Sequence, residues 1–248
     1  MSSKTFPPAQ PHGALREVFP DVFFVTGTVG LPGPLPVRFS RNMTVIREGE
    51  RLTLVNSVRL TDDGLRELDK LGKVTDVVRL AGFHGMDDPF YKDRYGAKVW
   101  AVKGQRYTAG LNANAPETYF AADAEMDAST ALPIKGASLY LYAGSKPPEG
   151  ILVLDREGGI AIVGDSLQNW ARPDEFFSLV AKVMMRFMGF IKPFNVGPGW
   201  LKQAKPSPEA LRGVLALPFE HLLPSHGEMV RGGARAHYRP AIERAASK

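Results

Sequence analysis

Five histidines are the only side chains in this 248-residue sequence whose ordinary pKa lies near neutrality, because it contains no cysteine. They are His12, His84, His221, His226 and His237. Two of them share a local design, an apolar strand-like run followed at once by a loop with ligand-type side chains. VVRLAGFHGMDDPF carries His84 and Asp88, and HLLPSHGE carries His226. A third such segment, IAIVGDSL, ends on Asp165. A rigid strand fixes the first residues of the loop that follows it, so sheet proteins gather polar groups at such places. Two imidazoles and two carboxylates make a nitrogen and oxygen ligand set for one divalent ion, zinc or iron. The lack of cysteine excludes a thiolate metal site, a thiol nucleophile and a disulfide scaffold.

The elements that must position these side chains can be read from periodicity and turn residues. Strands are expected over Val22–Thr28, Met43–Arg47, Leu52–Ser57, Val74–Leu80 and Val99–Val102. Thr61 reads as the N-cap of a helix with acids in its first turn, apolar Leu65, Leu68 and Leu71, and Gly72 as its stop. Asp87–Tyr95 reads as a second, short helix. The other half repeats this order, with strands at Ser138–Ala143, Ile151–Asp155 and Ile160–Val163, the last two joined by the hairpin signal REGG. Pro173 opens a helix whose Phe176, Phe177, Val180, Val183, Met184 and Phe187 have helical spacing. Helices over Ser207–Leu217 and Gly232–Ala246 flank a last strand, His221–Pro224. Residues 1–20 read as a loosely attached lead-in and residues 21–248 as one domain of two strand-rich halves.

In their order the three ligand-bearing segments resemble the metallo-β-lactamase-fold superfamily over residues 20–245. That family carries a His-x-His-x-Asp-His loop after a strand, a third His ahead of a hairpin, a Gly-Asp after the next strand and a late His beside Gly. Here the loop reads His84-Gly85-Met86-Asp87-Asp88-Pro89, so Met86 and Pro89 stand where two histidines are expected. The stretch GSKPPE before GILVLD places Lys146 at or near the missing third His. Gly164-Asp165 matches the bridging aspartate, and Pro224-Ser225-His226-Gly227 the last His. The resemblance implies a four-layer αββα sandwich. It also implies a metal set of His84, Asp88, Asp165 and His226, in which Asp88 and Asp165 are the catalytic carboxylates. With the first-metal histidines lost, one zinc or iron ion is expected rather than two. The Lys146 ammonium is a candidate stand-in for the missing charge, since buried carboxylates need a nearby cation; a plain surface lysine is the alternative reading.

Other signals are weaker. Gly164-Asp165-Ser166-Leu167 spells the GDSL esterase signature, but no histidine has an aspartate three residues before it, so Ser166 lacks a base. GTVGLPG lacks the spacing of a phosphate loop. Arg231, Arg235, Arg239 and Arg244 on the last helix read as a solvated face, and nucleic acid is not expected as a partner. The Phe- and Met-rich stretch 176–191 suits core packing, an apolar pocket or a homodimer interface. With 44% hydrophobic and 23% charged residues the chain is ordinary globular material, neither disordered nor coiled coil. Its net charge of +5 permits an anionic partner without demanding one. No run reaches membrane-span length and the start shows no apolar signal region, so a cytoplasmic protein with no membrane partner is expected. Two functions follow from the resemblance. One is a mononuclear metal-dependent hydrolase of an ester, lactone or phosphodiester. The other is an inactive descendant that binds a small molecule or protein without metal.

Overall fold

The computed structural model describes residues 6–31, 37–106 and 121–247. A seven-stranded sheet runs in chain order through β1 (Arg16–Phe19), β2 (Val22–Gly30), β3 (Arg38–Glu48), β4 (Arg51–Val55), β5 (Lys73–Arg79), β6 (Lys98–Val102) and β7 (Ala124–Met126). The first four strands are antiparallel neighbours; from β4 onward the pairs are parallel. That change of direction requires crossovers. Helix α1 (Asp62–Leu71) connects β4 to β5, and α2 (Asp88–Tyr95) connects β5 to β6. Helix α1 starts as its sequence dictates: the Thr61 hydroxyl accepts from Gly64 N, Asp62 and Asp63 face the positive end of the dipole, and Leu65 and Leu68 are buried.

The second sheet has strand order β13-β10-β9-β8, made of β8 (Ala137–Leu141), β9 (Gly150–Leu154), β10 (Ile160–Val163) and β13 (His221–Pro224). Its β10–β13 pair is parallel, and the connection between them holds a two-stranded ribbon, β11 (Leu167–Gln168) with β12 (Asn195–Val196). The same connection contains α3 (Leu179–Phe187), α4 (Pro198–Ala204) and α5 (Pro208–Gly213); α6 (Ala234–Ala246) follows β13.

Alternation along the strands sorts residues into layers. Phe23 and Val77 point to a cluster with Leu65, Leu68 and Tyr91 under α1 and α2. Their neighbours Phe24 and Val78 point the other way, to Leu152, Ile162 and Leu223 of the second sheet. Val153 and Ala161, on the far side of that sheet, pack with Trp200, Leu211, Tyr238 and Ile242 of α4, α5 and α6. The order is helices, sheet, sheet, helices: the expected four-layer αββα sandwich.

Several elements differ from expectation. Residues 6–20 are not loosely attached: β1 extends the large sheet, Gly13 N donates to Thr26 O at 2.8 Å, and His12 Nε2 sits 2.9 Å from Thr61 Oγ1. Helix α3 begins at Leu179 rather than at Pro173, because the Ser178 hydroxyl caps it by accepting from Ala181 N. The three-residue β7 and the two-residue β11 and β12 are too short to carry a periodic signal.

Candidate metal centre

The three segments singled out in the sequence end at one place. His84 lies in the loop after β5, Asp165 two residues beyond β10, and His226 two residues beyond β13. Their ligand-type atoms fall within 4.8 Å of one another. His226 Nε2 is 3.0 Å from Asp165 Oδ1, His84 Nε2 is 3.4 Å from Asp165 Oδ2, and the two imidazoles are 5.2 Å apart.

The orientation of His226 is informative. Its Nδ1 lies 3.1 Å from the carbonyl oxygen of Ser40, which can only accept, so the tautomer protonated at Nδ1 is the one that satisfies that carbonyl. In a neutral ring Nε2 is then a bare lone pair aimed at a carboxylate oxygen. Two acceptors at 3.0 Å repel unless a cation or a proton lies between them. Asp165 Oδ2 is buried and takes no hydrogen bond. Burial alone would raise the Asp165 carboxyl, but the imidazoles of His84 and His226 beside it hold it below the usual carboxylate range.

Asp88, the fourth expected ligand, is not part of this cluster. It is fully buried at the start of α2, where its Oδ1 accepts from the Ser57 hydroxyl at 2.6 Å and its Oδ2 faces the Arg79 guanidinium at 3.7 Å. Burial raises its carboxyl above the ordinary value, and Arg79 and Ser57 pull it partway back. Gly85 is required between the two sites: its φ is +102°, and a Cβ there would come within 2.7 Å of Arg79 Nη1 and 2.8 Å of Asp88 Oδ2. The neighbouring Asp87 is likewise buried and paired with Arg41.

Lys146 is exposed, and the groups facing Asp165 are the two imidazoles. From the same segment it is Glu149 that reaches the floor of the site. Glu149 is buried, and its Oε1 accepts from Ser166 N at 2.7 Å. Burial first, then the Asp165 charge, push its carboxyl well above the ordinary range. Ser166 is itself fully buried beneath the cluster, which leaves the serine-nucleophile alternative without an accessible hydroxyl.

Two further residues went unnoticed in the sequence. Asn56 accepts from Leu80 N at 3.0 Å and donates to Val163 O at 3.2 Å and Ser225 Oγ at 2.7 Å. One amide thereby ties together the strand ends that carry His84, Asp165 and His226. Asn42 donates to Pro224 O at 2.8 Å and Gly227 O at 2.7 Å, clamping the loop on both sides of His226. The sequence reading placed Asn56 inside the strand Leu52–Ser57, whereas β4 ends at Val55 and Asn56 takes the left-handed backbone that asparagine tolerates, at φ +53°.

Beside His226 opens a cavity of about 220 Å³ lined by Phe39, Phe83, Trp170, Met184, Met185 and Phe190, with Gln168 and Gln203 as further polar groups. Trp170 also packs on His226, with rings 5.0 Å apart. Among the described residues no lysine or arginine is in the cavity wall.

The four-layer αββα sandwich is the metallo-β-lactamase fold, and this chain has it, with His84, Asp165 and His226 together at strand ends between its sheets. The solved structures it resembles include the metallo-β-lactamase DIM-1 exposed to ceftazidime, with a TM-score of 0.65 at 12% identity over 96% of this chain and 98% of that one. The metallo-β-lactamase FIM-1 from Pseudomonas aeruginosa, in a mono-zinc form, gives a TM-score of 0.63 at 12% identity over 98% and 99%. A metallo-β-lactamase from Hirschia baltica gives 0.63 at 14% identity over 96% and 97%. The sequence matches no protein-family model and no curated protein.

Proposed function

We propose that this chain is a mononuclear metal-dependent hydrolase of small, largely apolar esters or lactones. The observation that carries the reading is the face-to-face approach of His226 Nε2 and Asp165 Oδ1, an arrangement that asks for a cation. His84, Asp165 and His226 fit zinc or ferrous iron as donors, and three protein ligands are what a catalytic rather than a structural site supplies. Such an ion would supply Lewis acidity and activate water at neutral pH.

The chain's own residues supply the rest. The Ser40 carbonyl fixes the His226 ring, and Asn56 and Asn42 hold the three loops in register. The cavity beside His226 would bind the apolar part of a substrate and exclude water from it. Apart from Gln168, Gln203 and His226 the wall is apolar, which suits an uncharged ester or lactone better than a substrate with charge away from the ion.

The inactive-descendant reading has one observation in its favour: Asp88 is engaged elsewhere, its Oδ1 hydrogen-bonded by Ser57 and its Oδ2 facing the Arg79 guanidinium at 3.7 Å. In that case the His226 ring would pair directly with Asp165, with no metal between them. Elemental analysis of tag-free protein separates the two, with zinc, iron and manganese add-back and a His226→Ala control. About one equivalent of metal, lost in the control, is expected for a three-ligand site. Metal at background after add-back would overturn the hydrolase. Given metal, a screen of alkanoyl esters and lactones against a phosphodiester is expected to show turnover with the first two.

A further inference from the structure

Among the described residues, every large hydrophobic side chain that stands exposed lies in one ten-residue stretch: Leu179 at 79%, Val183 at 59%, Phe187 at 87% and Met188 at 55%. The first three recur every four residues along α3, so they form one stripe down the helix. The opposite face is spent: Ala181 and Met185 are buried against Trp170 and Phe177. Helix α3 is therefore apolar on two faces, and among the described residues only the inner one has a partner.

Charge singles out the same region. From residue 176 to residue 208 the sequence contains Lys182, Arg186, Lys192, Lys202 and Lys205 and no acidic residue. Of these, Lys182 and Arg186 lie on α3 itself, and the stretch is bounded by Asp174 and Glu175 before it and Glu209 after it. Lys182 and Arg186 sit one position before Val183 and Phe187, so cations flank the apolar stripe. An exposed apolar stripe between cations matches a layer that is anionic at its surface and hydrocarbon just below.

We infer that the outer face of α3 docks this protein on an anionic lipid surface. A second copy of the chain fits less well, since a two-fold contact would set this cationic segment against itself. Docked this way, Met188 links the surface to the interior, because it is both exposed and part of the cavity wall beside His226. The expectation of no membrane partner rested on the lack of a spanning segment. No helix of the described residues is long and apolar enough to cross a membrane, but a peripheral contact needs no span. The inference is independent of the hydrolase reading, because it concerns binding alone.

The test is co-sedimentation of the full chain with vesicles of phosphatidylcholine, or of phosphatidylcholine mixed with phosphatidylglycerol, at low and high salt. Wild-type protein is expected on the anionic vesicles, released by salt, and in the supernatant with the neutral ones. The exposed double variant L179S/F187S is expected to bind at least tenfold more weakly. K182S/R186S should lose about 30-fold, from two cations contributing ~1 kcal/mol each. All of these side chains are on the surface or partly so, and circular dichroism confirms that each variant is folded. Wild-type protein that ignores anionic vesicles, or variants that bind as wild type does, would overturn the inference. So would a wild-type dimer in sedimentation equilibrium that F187S dissociates, because the stripe would then belong to a second copy.

Discussion

Asp88 and Asp165 occupy similar places in the chain, each shortly after a strand that ends at the same edge of the sandwich, yet their surroundings are opposite. Asp88 has been given its own cation: Arg79 is buried with it, and Ser57 donates to its other oxygen. Asp165 faces two imidazoles, one of which presents a lone pair whenever it is neutral. A carboxylate with a resident guanidinium is a structural ion pair. A carboxylate among imidazoles is a candidate site for a cation. Residue type and position do not distinguish the two; the neighbours do.

The largest effect should come from breaking the Asp88 pair. Arg79→Met leaves a fully buried carboxylate without its counter-ion, and about 3–5 kcal/mol of stability should be lost in urea unfolding. Restoring much of that loss with Asp88→Leu in the same chain would show that the cost is the orphaned charge and not the packing. A loss below about 1 kcal/mol would mean that Arg79 does not compensate Asp88. Next in size is Asn56→Ala, which orphans buried groups on three segments and puts alanine at a positive φ. About 3 kcal/mol is expected from the lost hydrogen bonds. Because the three segments carry the candidate ligands, metal affinity should fall with stability, whereas Arg79→Met should lower stability alone.

Much of this fold was legible because it is written in local signals. The strand alternation that sends Phe23 and Phe24 to different layers, the Thr61 cap and the hairpin before β10 are all short-range facts. His84, Asp165 and His226 were legible for the same reason, as polar residues at the ends of apolar runs. The environment of Asp88 was not, because Arg79 is nine positions away and reaches it only once β5 and α2 are packed. Asn56 acts across up to 169 positions of sequence, and no periodicity reports that. Lys146 and Glu149 show the limit of reading a segment by motif alone. Both lie in GSKPPE, and burial, which the motif does not encode, decides which one the site feels.

The comparison sharpens when metal is the readout. Asp165→Asn should weaken zinc binding more than about 100-fold, since changing even the groups behind a ligand typically costs 10–100-fold. Asp88→Asn should leave the stoichiometry unchanged. Competition with a chromophoric chelator measures both, and a zinc-free Asp88→Asn protein would return Asp88 to the ligand set. In wild type, zinc at about 100 times its dissociation constant is expected to add ~2.7 kcal/mol to stability. That corresponds to roughly 5–10 °C in Tm for a chain of this size.

The smallest effect is a slope in pH. The folded state raises the carboxyl of Asp88, so the native protein holds that proton more tightly than the unfolded chain does. The stability contributed by this group is complete below the unfolded pKa of about 4 and is lost as pH rises through the folded value. Asparagine cannot titrate, so the stability advantage of wild type over Asp88→Asn should shrink as pH is raised through that window. Urea unfolding of both proteins at matched pH values measures the difference. An advantage that grows with pH would mean that the folded state lowers this carboxyl. Asp88 would then resemble Asp165, held ionised by its neighbours, and the contrast between the two carboxylates would disappear.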